Sequence, residues 1–420
     1  MSNYKDLRVN RLKINKMVGV PGWSSSLEVR DFIHNSKSDG SGVNVISTMA
    51  FIPKFITSGW PQAALNGLSV GGFWADVHKA SQWDASSVAL GSVSADAPTT
   101  FAACSRPGVV PWTGISWISA RIAAGNRVIQ GRNCHLITPF ERFAILSWVM
   151  QSGNWGNIRG NNNNGKDTRD AATWDKYGIF DPVLASPTRT LTGSGPPSWW
   201  SNGIIGAGLA DLVGNIWEWE NCRLESGLYQ PKAFLNGARI ATDAHIIYDD
   251  NAGGDAANIC HLSPGVYTIT DAVNGDEDVT VIRVHPTGRF AGRAVLSAGL
   301  TLPHGDNCLI QLKTALDVTS TTKTGLAAGA GAYKAIGKLL EDATGKHMAL
   351  PDFADTTTHA ATLLDSGYAY HNGDSRALQR CGSCVRGTDA RAGLTVRCHY
   401  TPTDVNTLFG FRAALAVGTL

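Results

Sequence analysis

Hydrophobic and polar positions along the chain predict short strands, two helices and long connecting loops. Residues 1–45 are mixed and mostly polar, and they close on the Ser/Gly/Asn-rich loop signal of residues 35–42. The apolar runs between Val43 and Ile56 predict a strand that Pro53 interrupts or ends, because proline cannot donate to a ladder. Thr113 to Ala124 carries helical spacing and stops at Gly125. A second helix is predicted from Thr138, where an N-cap threonine, Pro139 at the first helical position and Glu141 form a capping box. Phe140, Phe143, Ala144, Leu146 and Val149 then share one face, and Gly153 ends the helix. The Asn/Gly run from Asn157 to Asp167 predicts a loop, because both residues tolerate left-handed backbone angles. From Asn215 to Glu220, Trp217 and Trp219 alternate with Ile216, Glu218 and Glu220, which is the period of a strand. Residues 221–350 read as a long insertion. Within it, Val266–Val273 and Val279–His285 flank Asn274 and Gly275, a hairpin-turn pair, and Ala327–Glu341 is expected to be helical.

Composition sharpens this picture. The chain has 420 residues, 43% of them hydrophobic and 17% charged, which is a globular composition and not a disordered one. The net charge of +2, with scattered Lys and Arg, gives no basic run for neutralising phosphates, so nucleic acid is not an expected partner. No apolar stretch is long enough to span a membrane, so no membrane insertion is expected, and the start lacks the apolar core of a signal peptide. The 46 glycines and 13 tryptophans suit a loop-rich fold. The 8 cysteines, in so long a chain without a signal peptide, do not read as a disulfide framework, and most of them read as buried free thiols.

The last segment differs in kind. Residues 353–420 contain no Lys, Glu, Trp or Met and a single Gln, yet they are rich in Arg, Asp, His, Tyr and Cys. A solvated surface ordinarily uses Lys and Glu freely. Three motifs stand around this segment in order. His135-Leu-Ile-Thr-Pro-Phe-Glu141 is similar to a helix entry written R-L-P-T-x-x-E. Gly214-Asn-Ile-Trp-Glu-Trp219 is similar to a GN-x-WEW strand, and Arg380-Cys-Gly-Ser383 with Gly410-Phe-Arg412 is similar to a closing R-G-G-S … G-F-R. Together they resemble the formylglycine-generating-enzyme branch of the C-type-lectin-like folds. The resemblance implies an α+β architecture with short antiparallel strands, two main helices and a long insertion. The implied organisation is an N-terminal segment (1–45), a C-type-lectin-like domain (46–220 and 351–420) and the insertion (221–350), with a β-hairpin and a helix.

Two subfamilies share these marks. The formylglycine-generating oxidases carry copper-binding cysteines three and eight positions after the motif serine, where this chain has Arg386 and Arg391. The variable proteins of diversity-generating retroelements, found in phages and archaeal viruses, are not enzymes. In them a C-terminal repeat is rewritten by adenine-directed mutagenesis of asparagine codons whose third base stays a pyrimidine. Such codons reach Tyr, His, Asp, Cys, Arg, Val, Leu and Ser but not Lys, Glu, Gln, Trp or Met, and residues 353–420 lack four of those five.

On the variable-protein resemblance, the residues implied to vary and to bind ligand are Tyr370, His371, Asp374, Cys381, Cys384, Val385, Arg386, Asp389, Arg391, Arg397, Cys398, His399, Tyr400, Asp404 and Leu408. They are expected to face solvent, since surface substitutions cost about 0.5 kcal/mol or less and core substitutions several. Cys381 departs from the motif by standing at one of its glycine positions. The implied role is a binding protein on a viral tail or surface, recognising a protein or glycan on a target cell, with no cofactor and no catalytic step. The alternative is an oxidase or metalloenzyme of the same fold.

Other motifs are read more plainly. Cys381 and Cys384 with Cys398 and His399 have some of the residue types of a zinc site, but adjacent Cys398 and His399 on an extended chain face opposite ways. Gly67-Leu-Ser-Val-Gly71 matches a nucleophile elbow without the preceding strand that motif needs, and reads as a glycine-rich loop. Asp249, Asp250, Asn251 and Asp255, like Asp276, Glu277 and Asp278, read as solvated acidic turns and not calcium loops. Trp217 and Trp219 read as core residues.

Overall fold

The structure is a computed structural model. It describes residues 26–170, 178–184, 187–225, 228–231, 235–240, 246–249, 265–271, 275–284, 294–296, 308–315, 334–335, 339, 341, 348–351, 368–371, 376–387 and 394–416. Twelve strands build two main sheets. In chain order they begin with β1 (Glu28–Asn35), β2 (Asn44–Ile52), β3 (Phe73–Asp76) and β4 (His135–Leu136). The next four are β5 (Trp217–Glu225), β6 (Leu228–Pro231), β7 (Lys334–Ala335) and β8 (Tyr368–His371). The last four are β9 (Arg376–Arg380), β10 (Val396–Cys398), β11 (Phe409–Phe411) and β12 (Ala413–Ala416). Two α-helices, α1 (Trp117–Gly125) and α2 (Pro139–Gln151), complete the frame among the described residues. This is a mixed α+β architecture.

The first sheet has the order β1-β2-β3-β12-β4 and is antiparallel throughout. Strand β2 ends at Ile52, just before Pro53, as the proline requires. Strand β1 lies inside residues 1–45, and it pairs with β2 along its whole length, from Glu28↔Phe51 to Asn35↔Asn44. The second sheet has the order β6-β5-β9-β10-β8-β7, and β11 runs parallel to β5 on a separate path. The chain crosses from the second sheet to the first at Arg412, between β11 and β12.

Both helices follow their sequence signals. Thr138 caps α2 through its hydroxyl, which accepts from the Glu141 N–H, while the Glu141 carboxylate accepts from the Thr138 N–H at 2.9 Å. Helix α1 starts at Trp117, later than its periodicity suggests, because the Ser116 side chain caps it there. Helix α2 buries Phe143, Ile145, Leu146 and Val149 in a core with Ile52, Trp60, Trp155 and Leu212, and Trp60 stacks on Phe143 at 5.5 Å. Helix α1 supplies Ala120, Ala123 and Ala124 to a second core built on Trp112, Trp217, Trp219, Phe409 and Phe411.

The insertion is β-rich. Six of its strands close into an antiparallel barrel, in the order Leu235–Ile240, Ile246–Asp249, Ala294–Leu296, Gly275–Val284, Gly265–Asp271 and Cys308–Ala315. The expected hairpin is present, with Gly265–Asp271 paired to Gly275–Val284. The helix expected over Ala327–Glu341 falls mostly outside the described residues; within it, Lys334–Ala335 forms β7 and pairs with Tyr368 and Ala369, and Leu339 bridges to Pro351. Gly329, Gly331 and Gly337 dilute the alanines there, and each glycine costs a helix about 1 kcal/mol against alanine. Ser69 and Val70, in the elbow-like motif, form a two-residue strand paired with Phe55–Ile56 and no strand-turn-helix. Among the described residues no helix is long and apolar enough to cross a membrane.

Candidate functional site

The site is organised by strand β5, whose two faces carry different chemistry. Its entry is fixed by Gly214 and Asn215. Gly214 has φ of +68°, and a Cβ there would meet the Asn161 carbonyl oxygen at 2.0 Å, so only glycine fits. Asn215 also takes a left-handed angle, with its side-chain oxygen accepting from Thr190 N at 2.9 Å and its amide donating to Thr190 O at 2.9 Å. The motif's glycine and asparagine are therefore backbone devices that aim the strand.

Glu218 and Glu220 point into a fully buried ionic cluster. Glu218 pairs with Lys79 at 2.9 Å, with Arg412 at 3.0 Å and with Arg142. Glu220 pairs with Arg142 at 2.9 Å and with Arg380 at 2.7 Å. All six side chains have no exposure. Four cations thus face two carboxylates, and main-chain oxygens take much of the excess. Arg412 donates to the carbonyls of Asp76, Val77 and Ala210, Arg380 to Ala349 and Lys79 to Ile216. Burial alone would push the Glu218 carboxyl up, but Arg412, Lys79 and Arg142 outweigh it and hold it well below the usual carboxylate range. This cluster explains the arginines of both closing motifs: Arg380 and Arg412 are ion-pair partners inside the frame. Gly410 packs so closely that a Cβ would meet Ile216 at 2.4 Å and the Trp112 carbonyl at 2.8 Å.

Trp217 and Trp219 occupy the other face. The Arg397 guanidinium carbon lies 4.0 Å from the Trp217 ring centroid, 4.8 Å from Tyr400 and 5.1 Å from Phe409. Its Nε donates to Gln379 Oε1 at 2.9 Å. Arg386 lies over Trp217 at 5.9 Å. The His399 ring meets Tyr400 edge-on at 4.3 Å, and Tyr400 meets Phe409 at 4.5 Å. Leu408 packs against the same core, and its carbonyl accepts from Trp217 N at 2.8 Å. Burial lowers the His399 pKa, and the charges of Arg397, Arg376 and Arg386 lower it further. Asp404 opposes them and caps its own turn, accepting from Thr401 N at 2.6 Å.

The residues implied to vary divide into four groups. Val385 is exposed, and Arg386, His399, Tyr400, Asp404 and Leu408 are half-buried. Tyr370 and His371 lie on β8 in register with Arg397 and Cys398. Asp374, Asp389 and Arg391 lie outside the described residues.

Cys381, Cys384, Arg397 and Cys398 are corrections to the expectation of solvent exposure, because all four are buried. Arg397 and Cys398 lie on β10, which has a paired strand on each side, and Cys381 and Cys384 follow β9 in a turn whose backbone is hydrogen-bonded to Gly214 and Asn215. Cys398 joins Cys222, Met348, Leu350, Leu378 and Val396 in a small apolar core. Cys381 turns inward at φ of +77°, a left-handed angle that a motif glycine would take at no steric cost. Burial pushes the Cys384 thiol up to about 12 and raises those of Cys381 and Cys398. Cys398 and His399 do face different ways, one buried and one half-exposed. Among the described residues no group of three or more His, Cys, Asp or Glu side chains could hold a metal ion. All six cysteines among the residues whose side chains are described are buried free thiols.

Sequence reasoning missed Phe409, Gln379 and the second role of Trp217 as a floor for the arginines. The strand period places Trp217 on one face of β5 but does not say which later residues cover that face. No protein-family model matches the chain, and no curated protein matches it.

Proposed function

We propose that this chain is a ligand-binding protein of the diversity-generating-retroelement type. It would have a C-type-lectin-like frame of the formylglycine-generating-enzyme branch and serve as a receptor-binding component of a viral tail or surface. Its ligand would be a protein or glycan on a target cell. One observation carries this reading: Arg386 and Arg397 lie over Trp217, Tyr400 meets Phe409 and carries His399 on its ring, and Leu408 packs on the same core, while the residues of the surrounding motifs lie inside the frame. Tyrosine and arginine are the residue types that dominate binding hot spots. A set of variable side chains beside a rigid scaffold has the physics of a paratope.

Deep sequencing of the coding region from a growing population tests the reading. The expected result is substitution at codons 385, 386, 397, 399 and 400, with codons 410–412 unchanged. A near-copy differing at adenines is expected beside a reverse transcriptase gene. Invariant codons across the segment, with no such copy, would end it.

A further inference from the structure

The setting of Arg397 is unusual in its geometry. Arg397 is 3% exposed, and its guanidinium stands within about 6 Å, the reach of a cation–π contact, of three aromatic rings. Tyr400 and Phe409 meet edge-on, at an interplanar angle of 61°, and do not stack on each other. Two of the three, Trp217 and Phe409, are 1% exposed and are anchored in the second core. The third, Tyr400, is half-buried, and Arg386 lies over Trp217 near the surface. A neutral acceptor, Gln379 Oε1, takes the Arg397 Nε–H at 2.9 Å.

We propose that Trp217, Tyr400 and Phe409 form a binding cage for a small organic cation, which Arg397 fills from within this chain, and that residue 397 decides whether the cage takes a cation from outside. A short side chain at 397 leaves a hole floored by two fixed rings and edged by a half-exposed tyrosine. Ring faces attract diffuse, weakly hydrated cations more readily than compact ones, since less hydration is lost on entry. The ligand class is therefore a guanidinium or a methylated ammonium. The link to ligand choice rests on the reading above, which makes position 397 one that varies; serine is among the residues its codon reaches. Such variation would change the class of ligand without touching the frame.

Chemical rescue tests the cage. The full chain carrying Arg397→Ala is titrated with methylguanidinium chloride and, separately, tetramethylammonium chloride, with sodium chloride at equal ionic strength as control. A saturable rise in the thermal midpoint of the variant is expected, about 2 °C at ten times the dissociation constant, with no such rise in the parent chain. Adding Tyr400→Ser should shrink the rise.

A second comparison applies even if Arg397→Ala does not fold. Arg397→Lys keeps a cation for the rings, and Arg397→Met fills similar space without one, so the lysine variant should melt higher. A titration no steeper than sodium chloride, or a methionine variant at least as stable as the lysine variant, overturns the cage. These measurements depend on the chain alone. Their failure leaves the codon-variation result standing, and invariant codons would leave the cage standing.

Discussion

The two faces of β5 hold the same kind of cation in opposite ways. On the glutamate face, Arg142, Arg380 and Arg412 are tied to carboxylates and carbonyls in a network with no exposure. On the tryptophan face, Arg397 and Arg386 lie over ring planes. The first arrangement is unforgiving: removing one partner strands a charge in a medium that cannot solvate it. The second is permissive, because a cation–π contact is worth only about 0.5–2 kcal/mol and the rings are content with an apolar neighbour. One strand can therefore serve as both anchor and stage. Where a chain must change its side chains and stay folded, variation belongs over the rings.

The largest expected effect breaks the anchor. Glu218→Gln keeps the volume and removes the charge that Lys79, Arg142 and Arg412 share. The loss should be about 3–5 kcal/mol, read as a fall in the denaturant midpoint. A variant within 1 kcal/mol of the parent would show, against about 3–5 expected for a broken buried pair, that the network contributes little. It would also erase the contrast between the two faces.

Much of the frame was legible from local signals. The capping box at Thr138, the stop before Pro53 and the strand period at Trp217 each have a local cause, and each appears in the fold. Within the segment expected to be helical, Lys334 and Ala335 are instead strand, because helix propensity there is weak and β8 offers them a pairing partner. The sequence also pointed to Arg386, Tyr400 and Arg397 as one group, which the fold brings together on Trp217 and Phe409. It did not reveal that Arg397, Cys381, Cys384 and Cys398 are buried. Burial of Arg397 and Cys398 on β10 depends on which strands flank it, and that of Cys381 and Cys384 on their bonds to Gly214 and Asn215, long-range facts that no local pattern encodes. Nor did the alternation at Glu218 and Glu220 announce a buried face, because glutamates at period two look solvent-facing until Arg142, Arg380 and Arg412 arrive from elsewhere in the chain.

Cys381 sharpens the comparison at intermediate scale, since it is buried beside the charges of the Glu218 cluster. Its φ of +77° and full burial set two demands that no single side chain satisfies well. A non-glycine residue in this region costs on the order of 1–2 kcal/mol, and a β-branched one more. Cys381→Val should therefore destabilise by about 2 kcal/mol or more. Cys381→Gly trades relief of strain against a lost buried thiol and should stay within about 1 kcal/mol of the parent. Equal losses for glycine and valine would mean that packing alone governs the position, and the motif's glycine would then have no backbone reason.

The smallest effect is expected where the patch meets solvent. Val385 is 45% exposed, and Arg386 is half-buried at the rim of the Trp217 ring. Val385→Ser and Arg386→Ser should each shift stability by no more than about 0.5 kcal/mol, because both side chains reach solvent. The double variant should be close to the sum of the singles, because Arg386 lies over the Trp217 ring while Val385 points to solvent. The informative result is the ratio between this pair and Glu218→Gln. If the rim substitutions cost as much as the buried one, the tryptophan face is part of the anchor, and side chains there could not be exchanged without unfolding the chain.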